Sequence, residues 1–259
     1  MTNWTKYITL CIFGLMLALV QPVYGQPRDN DTKLAAHYFG KGQFEKAEIY
    51  YQKSFKKYDS QLYFDRYFLC LFYQEKFDDA EKLVQKRIKR DPYTIANKFK
   101  LADVYKETNR ESEADKIYDN LIQELPPIQT RVENLGKTFQ SKGMYDYALQ
   151  TFMKGRKILK KGYGFQLELA SLYSLLNRPS DMIQEYLNLL DYSPVYVRTV
   201  QTYLSRVVDF ETDKELVEML REEILLKVQK NPDQEVYNEM FIWYYLQKKE
   251  FNGAVIQAK

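Results

Sequence analysis

A chain of 259 residues, 45% hydrophobic and 28% charged, has ordinary globular composition and enough apolar material for a sizeable core. Ten Gly and eight Pro argue against a loop-rich or all-β protein. A formal net charge of +3 creates no global field that demands nucleic acid or an acidic membrane as partner.

The chain opens with Lys6 and an apolar stretch from Ile8 to Val20, interrupted by Thr9. Gln21, Pro22 and a small-residue exit, Val23-Tyr24-Gly25, follow. This order of charged, apolar and cleavable regions predicts a signal peptide over residues 1–25, with the mature protein beginning near Gln26. The run is shorter than the roughly 20 residues of a membrane-spanning helix, so no stable insertion is expected after its removal. An uncleaved membrane anchor is the alternative. The expected location is outside the cytoplasm, periplasmic in a Gram-negative bacterium. Cys11 would leave with this segment. Cys70 then stands alone among apolar neighbours and is expected to be a buried, inert thiol.

After a short polar lead-in, residues 26–33, small and aromatic residues recur at a fixed interval. Ala47, Ala80, Ala114, Ala148 and then Met182 mark steps of 33 or 34 residues. An aromatic or aliphatic residue follows each by one helical turn: Tyr51, Val84, Tyr118, Phe152 and Tyr186. Upstream of each lies a second pattern, read as the first helix of a pair. It consists of Leu34-Ala35 with Tyr38, Tyr67-Phe68 with Leu71, Leu101-Ala102 with Tyr105, Leu135-Gly136 with Phe139, and Leu169-Ala170 with Tyr173. The spacing i, i+1, i+4 lies on one helical face. Gly42, Glu75, Asn109, Gly143 and Asn177 mark the turns between paired helices, where φ > 0 is expected. Small residues on the two helices should face each other while aromatics fill the flanks. One pair cannot bury both faces alone, so neighbours should stack.

This pattern resembles the tetratricopeptide repeat over residues 28–259. The units are 28–60, 61–94, 95–128, 129–162 and 163–196, then a divergent sixth and an incomplete seventh. The resemblance implies an all-α, right-handed α-solenoid. In the second unit Phe68 replaces the small residue, so its helices should splay or shift. The fifth carries Pro179 in its turn. In the sixth, Thr212-Asp213-Lys214-Glu215 reads as a capping box, with extra residues lengthening the turn around Asp209–Thr212. The seventh keeps Phe241, Tyr245, Phe251 and Ala254 but stops at Lys259 part-way along its second helix. Truncation of the chain there is the expectation, with a natural short cap as the alternative.

Catalysis is not expected. His37 is the one histidine, and no CxxC, HExxH or phosphate-binding glycine loop accompanies it. No cofactor or metal is expected. Two basic runs, Gln85–Arg90 and Lys154–Lys161, fall at C-terminal ends of second helices, where cations complement the helix dipole. Nucleic-acid binding is not expected, because stacking aromatics are not interleaved with them. The family resemblance instead points to a groove lined by first helices. Its register assigns Leu69, Phe72 and Tyr73 in the second unit, Phe99, Asp103 and Lys106 in the third, and Glu133, Lys137 and Gln140 in the fourth. Asp103 and Glu133 would repel a terminal carboxylate, which sets aside the carboxylate-clamp members of the family. The expected function is an exported scaffold that binds a protein or peptide, a cell-envelope component, in this groove. An apolar residue of the partner would lie against Phe72 and Tyr73. The alternative is an accessory region of a longer envelope protein whose activity lies beyond Lys259.

Overall fold

A computed structural model of the chain describes residues 30–160 and 162–257. The expected signal peptide, residues 26–29, Lys161, Ala258 and Lys259 lie outside the described residues, within which the regular structure is helical with no strand. The chain divides into two compact units, Met1–Arg110 and Glu111–Lys259. The division falls in a turn of the third repeat.

In the first compact unit, α1 (Asn30–Gly40) pairs with α2 (Phe44–Tyr58), and α3 (Gln61–Tyr73) with α4 (Phe77–Arg90); α5 (Ile95–Glu107) closes it. Ala35, Ala47, Tyr51 and Cys70 form one core cluster. Phe64, Phe68, Leu71, Ala80, Val84 and Val104 form another. Phe68 sits in the same cluster as Ala80, so one large and one small side chain meet across the second hairpin. The backbones of α3 and α4 approach closely at far fewer positions than those of α1 and α2, as the bulk of Phe68 requires.

The second compact unit holds α6 (Glu111–Gln123), α7 (Gln129–Ser141), α8 (Tyr145–Leu159), α9 (Gln166–Leu175), α10 (Pro179–Tyr192), α11 (Val197–Val207), α12 (Lys214–Lys230), α13 (Glu235–Gln247) and α14 (Phe251–Gln257). A 3₁₀ turn, Pro194–Tyr196, leads into α11. In the α7–α8 hairpin the packing differs from small-on-small. A Cβ added to Gly136 would lie 2.4 Å from Phe152 Cζ, so the glycine faces the aromatic one turn beyond Ala148. The ring, not a second small residue, fills the space that Gly136 leaves. Gly155 on α8 is equally tight, its added Cβ falling 2.4 Å from Val132 Cγ1.

The turns repeat with one geometry. Gly42, Glu75, Asn109, Gly143 and Asn177 all have positive φ, and Lys249 joins them at the same position of the last hairpin. Each belongs to a Schellman motif. In the first, Gln43 N–H donates to Tyr38 O at 2.9 Å and Gly42 N–H to Phe39 O at 3.0 Å. The same two bonds recur at residues 71–76, 105–110, 139–144, 173–178 and 245–250. The orphan carbonyls at the end of each first helix are thereby satisfied, and the second helix starts at a fixed angle.

Two local expectations are corrected. Pro179 is the first residue of α10 rather than part of the turn, where its missing N–H is harmless. In the sixth unit the N-cap is Asp213, one residue beyond Thr212, and its side chain accepts from Leu216 N at 3.0 Å. Asp209 Oδ1 accepts from the N–H groups of Glu211 and Thr212, at 2.9 and 3.1 Å, and holds the longer turn. The extra residues are shared between this turn and α12, which runs for 17 residues.

Candidate interaction surfaces

On α3, Leu69 and Phe72 are half-buried and pack on the Phe64–Phe68–Leu71 cluster. The Phe72 ring lies 5.5 Å from Phe68 and 5.5 Å from Phe77. Tyr73 is 54% exposed and leans the other way, 4.8 Å from Phe44 and 6.3 Å from Phe39. Adjacent residues on a helix diverge by about 100°, so the two rings do not form one platform. Phe72 is largely a packing residue. Tyr73 is the aromatic that presents a surface.

On α5, Phe99, Asp103 and Lys106 share a face by the spacing i, i+4, i+7. Phe99 does not reach that surface. It is 2% exposed, so this end of the shared face is covered while Asp103 and Lys106 stay more open. Its assignment to the groove is therefore corrected. Asp103 is half-buried and Lys106 exposed. On α7, Glu133 and Gln140 are half-buried and Lys137 is exposed. Glu133 Oε1 accepts from Gln129 Nε2 at 2.8 Å.

One recess of the second compact unit escaped the sequence reading. Leu167, Ser171, Ser174 and Leu175 of α9 line it, with Tyr186 of α10 and Tyr203 of α11. Its volume is 280 Å³. The Tyr186 and Tyr203 rings stack at 5.4 Å with an interplanar angle of 11°, which fixes one wall. Leu175 at the rim is 51% exposed. The signal was available: these four α9 residues occupy the register positions that were applied to the second, third and fourth units only.

The basic runs are partly committed to structure. In the first, Arg87 Nη1 donates to Asp59 Oδ1 at 2.9 Å, and Arg90 grips the same carboxylate. The two guanidiniums, Arg90 foremost, hold the Asp59 carboxyl below its ordinary range. In the second, Arg156 makes a two-pronged pair with the buried Glu185, at 2.9 and 2.6 Å, and donates from Nε to Gly164 O at 2.8 Å. A second series of pairs runs between neighbouring repeats. Lys76 Nζ meets Glu48 at 2.8 Å, and Arg110 meets Glu81 at 2.6 Å. Each acid directly follows a repeat alanine, and each base stands just before the next second helix.

Cys70 is fully buried, and its thiol is pushed up to about 12 by that burial, with the Glu48 charge adding to it. A thiol so placed stays protonated and unreactive. His37 is exposed on α1. Among the described residues no group of three or more His, Cys, Asp or Glu side chains could hold a metal ion, and no helix is long and apolar enough to cross a membrane.

No protein-family model and no curated protein matches the sequence. Solved structures with a similar course of helices include a tetratricopeptide repeat protein from Parabacteroides merdae, 14% identical over 88% of this chain and 89% of that one, with a TM-score of 0.36. The C-terminal part of a repeat protein from Cytophaga hutchinsonii is 18% identical over 87% and 92%, with a TM-score of 0.34. A yeast TPR2AB domain in its pHSP90 complex is 13% identical over 85% and 97%, with a TM-score of 0.33. The helix pairs and their Schellman turns, rather than these likenesses, define the fold. The chain folds as tandem helical hairpins of the tetratricopeptide type.

Proposed function

We propose that the protein is an exported scaffold whose first-helix faces bind a segment of another protein. The observation that carries this reading is the α9 recess. A small-molecule site usually encloses about 300–1,000 Å³. A recess of 280 Å³ with two leucines, two serines and a fixed tyrosine wall suits a single apolar side chain of a peptide. The serine hydroxyls offer hydrogen bonds to the backbone beside it. Glu133, Lys137 and Gln140 on α7 would orient the segment more than tighten it, because partly exposed charges steer and discriminate. Tyr73, Asp103 and Lys106 offer a similar mixed surface in the first compact unit. Export rests on the sequence of residues 1–25, and the partner is then a component of the cell envelope.

Site-specific photo-crosslinking in envelope extracts tests this reading. A photoreactive residue at Leu175 should capture one predominant protein, and the same residue at the exposed Lys157 should not. Equal capture at both positions, or none at Leu175, would overturn it.

A further inference from the structure

The first compact unit contains a recess of 380 Å³ on its second-helix side, away from the first-helix face considered above. Its floor is apolar: Phe55 from α2, Tyr67 from α3 and Leu83 from α4. Its rim is cationic. Lys56, Lys86, Arg87 and Arg90 surround it, with Asp59 as the one lining carboxylate. The helix-dipole argument explains cations at the ends of α2 and α4. It does not explain why they ring an apolar hollow.

The elements of the wall are held in place. Gln52 Nε2 donates to Tyr67 Oη at 2.8 Å across the recess wall. Arg87 lies over the Phe64 ring, 5.4 Å from its centre, and also donates to Gln61 Oε1 at 3.3 Å. Its Nε is buried and has no hydrogen-bond acceptor among the described residues. A buried guanidinium N–H without an acceptor is unfavourable. Lys56 and Lys86 are exposed at the rim. The site thus combines a preorganised arginine, spare ammonium donors and an apolar floor.

We propose that this recess binds a single amphiphilic anion, a phosphate or carboxylate carried on an apolar chain or ring. The apolar part would lie on Phe55, Tyr67 and Leu83. The anionic group would meet the exposed ammoniums of Lys56 and Lys86, while Arg87 and Arg90 already hold Asp59. Neither half suffices alone: a bare anion leaves the floor wet, and a neutral amphiphile leaves the cations unmatched.

Calorimetric titration of the full chain at low and high salt tests the proposal. The probes are octyl phosphate below its micelle concentration, octyl glucoside, inorganic phosphate, and phosphatidylglycerol vesicles. Octyl phosphate should bind one to one, more weakly as salt rises, and much more tightly than octyl glucoside or phosphate. The double variant Lys56→Gln/Lys86→Gln should weaken it about fivefold. Lys53→Gln/Lys89→Gln removes two exposed lysines of the same helices that do not line the recess, and should leave binding unchanged. Equal loss in both variants, equal binding of octyl glucoside, or binding to vesicles alone would each overturn the proposal. The last result would identify a surface that reads membrane charge instead.

Discussion

The turn of the fourth repeat and the turn of the sixth make the same connection by different physics. In the fourth, Gly143 at φ +73° lets the backbone close on itself, and Met144 N–H and Gly143 N–H return to Phe139 and Gln140 carbonyls. Both closing bonds run from backbone to backbone. In the sixth, no residue with positive φ stands between α11 and α12. Asp209 and Asp213 instead bind the free N–H groups of the longer turn and of the new helix. A backbone-closed turn tolerates almost any exposed side chain but only a few residues at its left-handed position. A side-chain-closed turn reverses that tolerance. The regular turns can therefore drift in sequence away from that position, and Glu75 and Lys249 occupy even that position at a cost in strain, while the sixth depends on two particular side-chain acceptors.

The largest effect that would separate packing from turn geometry is at Gly136. Gly136→Val should destabilise by about 2–3 kcal/mol, because the first added carbon already overlaps the Phe152 ring. Chemical denaturation showing a neutral or stabilising change, as helix propensity alone would give, would place Phe152 elsewhere. Ala114→Leu, at another fully buried repeat alanine, should cost about 1–3 kcal/mol by the same measurement.

The turn comparison itself is broken or sharpened by a crossed pair of variants. Gly143→Ala should lose about 1 kcal/mol through left-handed strain, and Asp213→Ala about 1 kcal/mol through the lost cap. Asp213→Asn should keep most of the stability, and at position 143 only Asn, which tolerates the left-handed backbone at Asn109 and Asn177, should recover part of the loss. Thermal melts in which Asp213→Ala is silent would mean that the sixth turn closes without its carboxylates. A smaller effect of opposite sign is expected at Glu75. Glu75→Gly should stabilise by about 0.5 kcal/mol, since glycine relieves the left-handed strain but gives back part of the gain as unfolded-chain entropy. Smallest of all, Lys157→Ala on the exposed face of α8 should stay within about 0.5 kcal/mol.

The left-handed turn positions were legible because glycine and asparagine announce them, and the 34-residue period carried the reading across Glu75, which does not. The core alanines were legible for the same reason. The groove was less so. Register assigns a face, but it does not say how closely the neighbouring element approaches, and Phe99 was lost to that difference. Phe72 and Tyr73 were read together although adjacency on a helix separates them. The fit of Gly136 to Phe152 depends on how one hairpin closes, which no periodicity encodes. The cationic recess joins residues from three helices. Its basic members were visible only as runs along single ones.

The paired charges between repeats have a consequence for how this protein opens. Glu48 with Lys76 and Glu81 with Arg110 each tie the second helix of one repeat to the turn of the next. These pairs are partly exposed, and each contributes at most about 1 kcal/mol. Their placement matters more than their strength. A repeat whose turn frays releases a carboxylate on the repeat before it, so an opening is felt by that neighbour. Linkage of that range makes unfolding a matter of boundaries moving along the chain, as in a row of coupled spins. It also means that a transplanted repeat would keep this tie only behind a repeat with an acid after its alanine, as at Glu48 and Glu81 but not at Leu149.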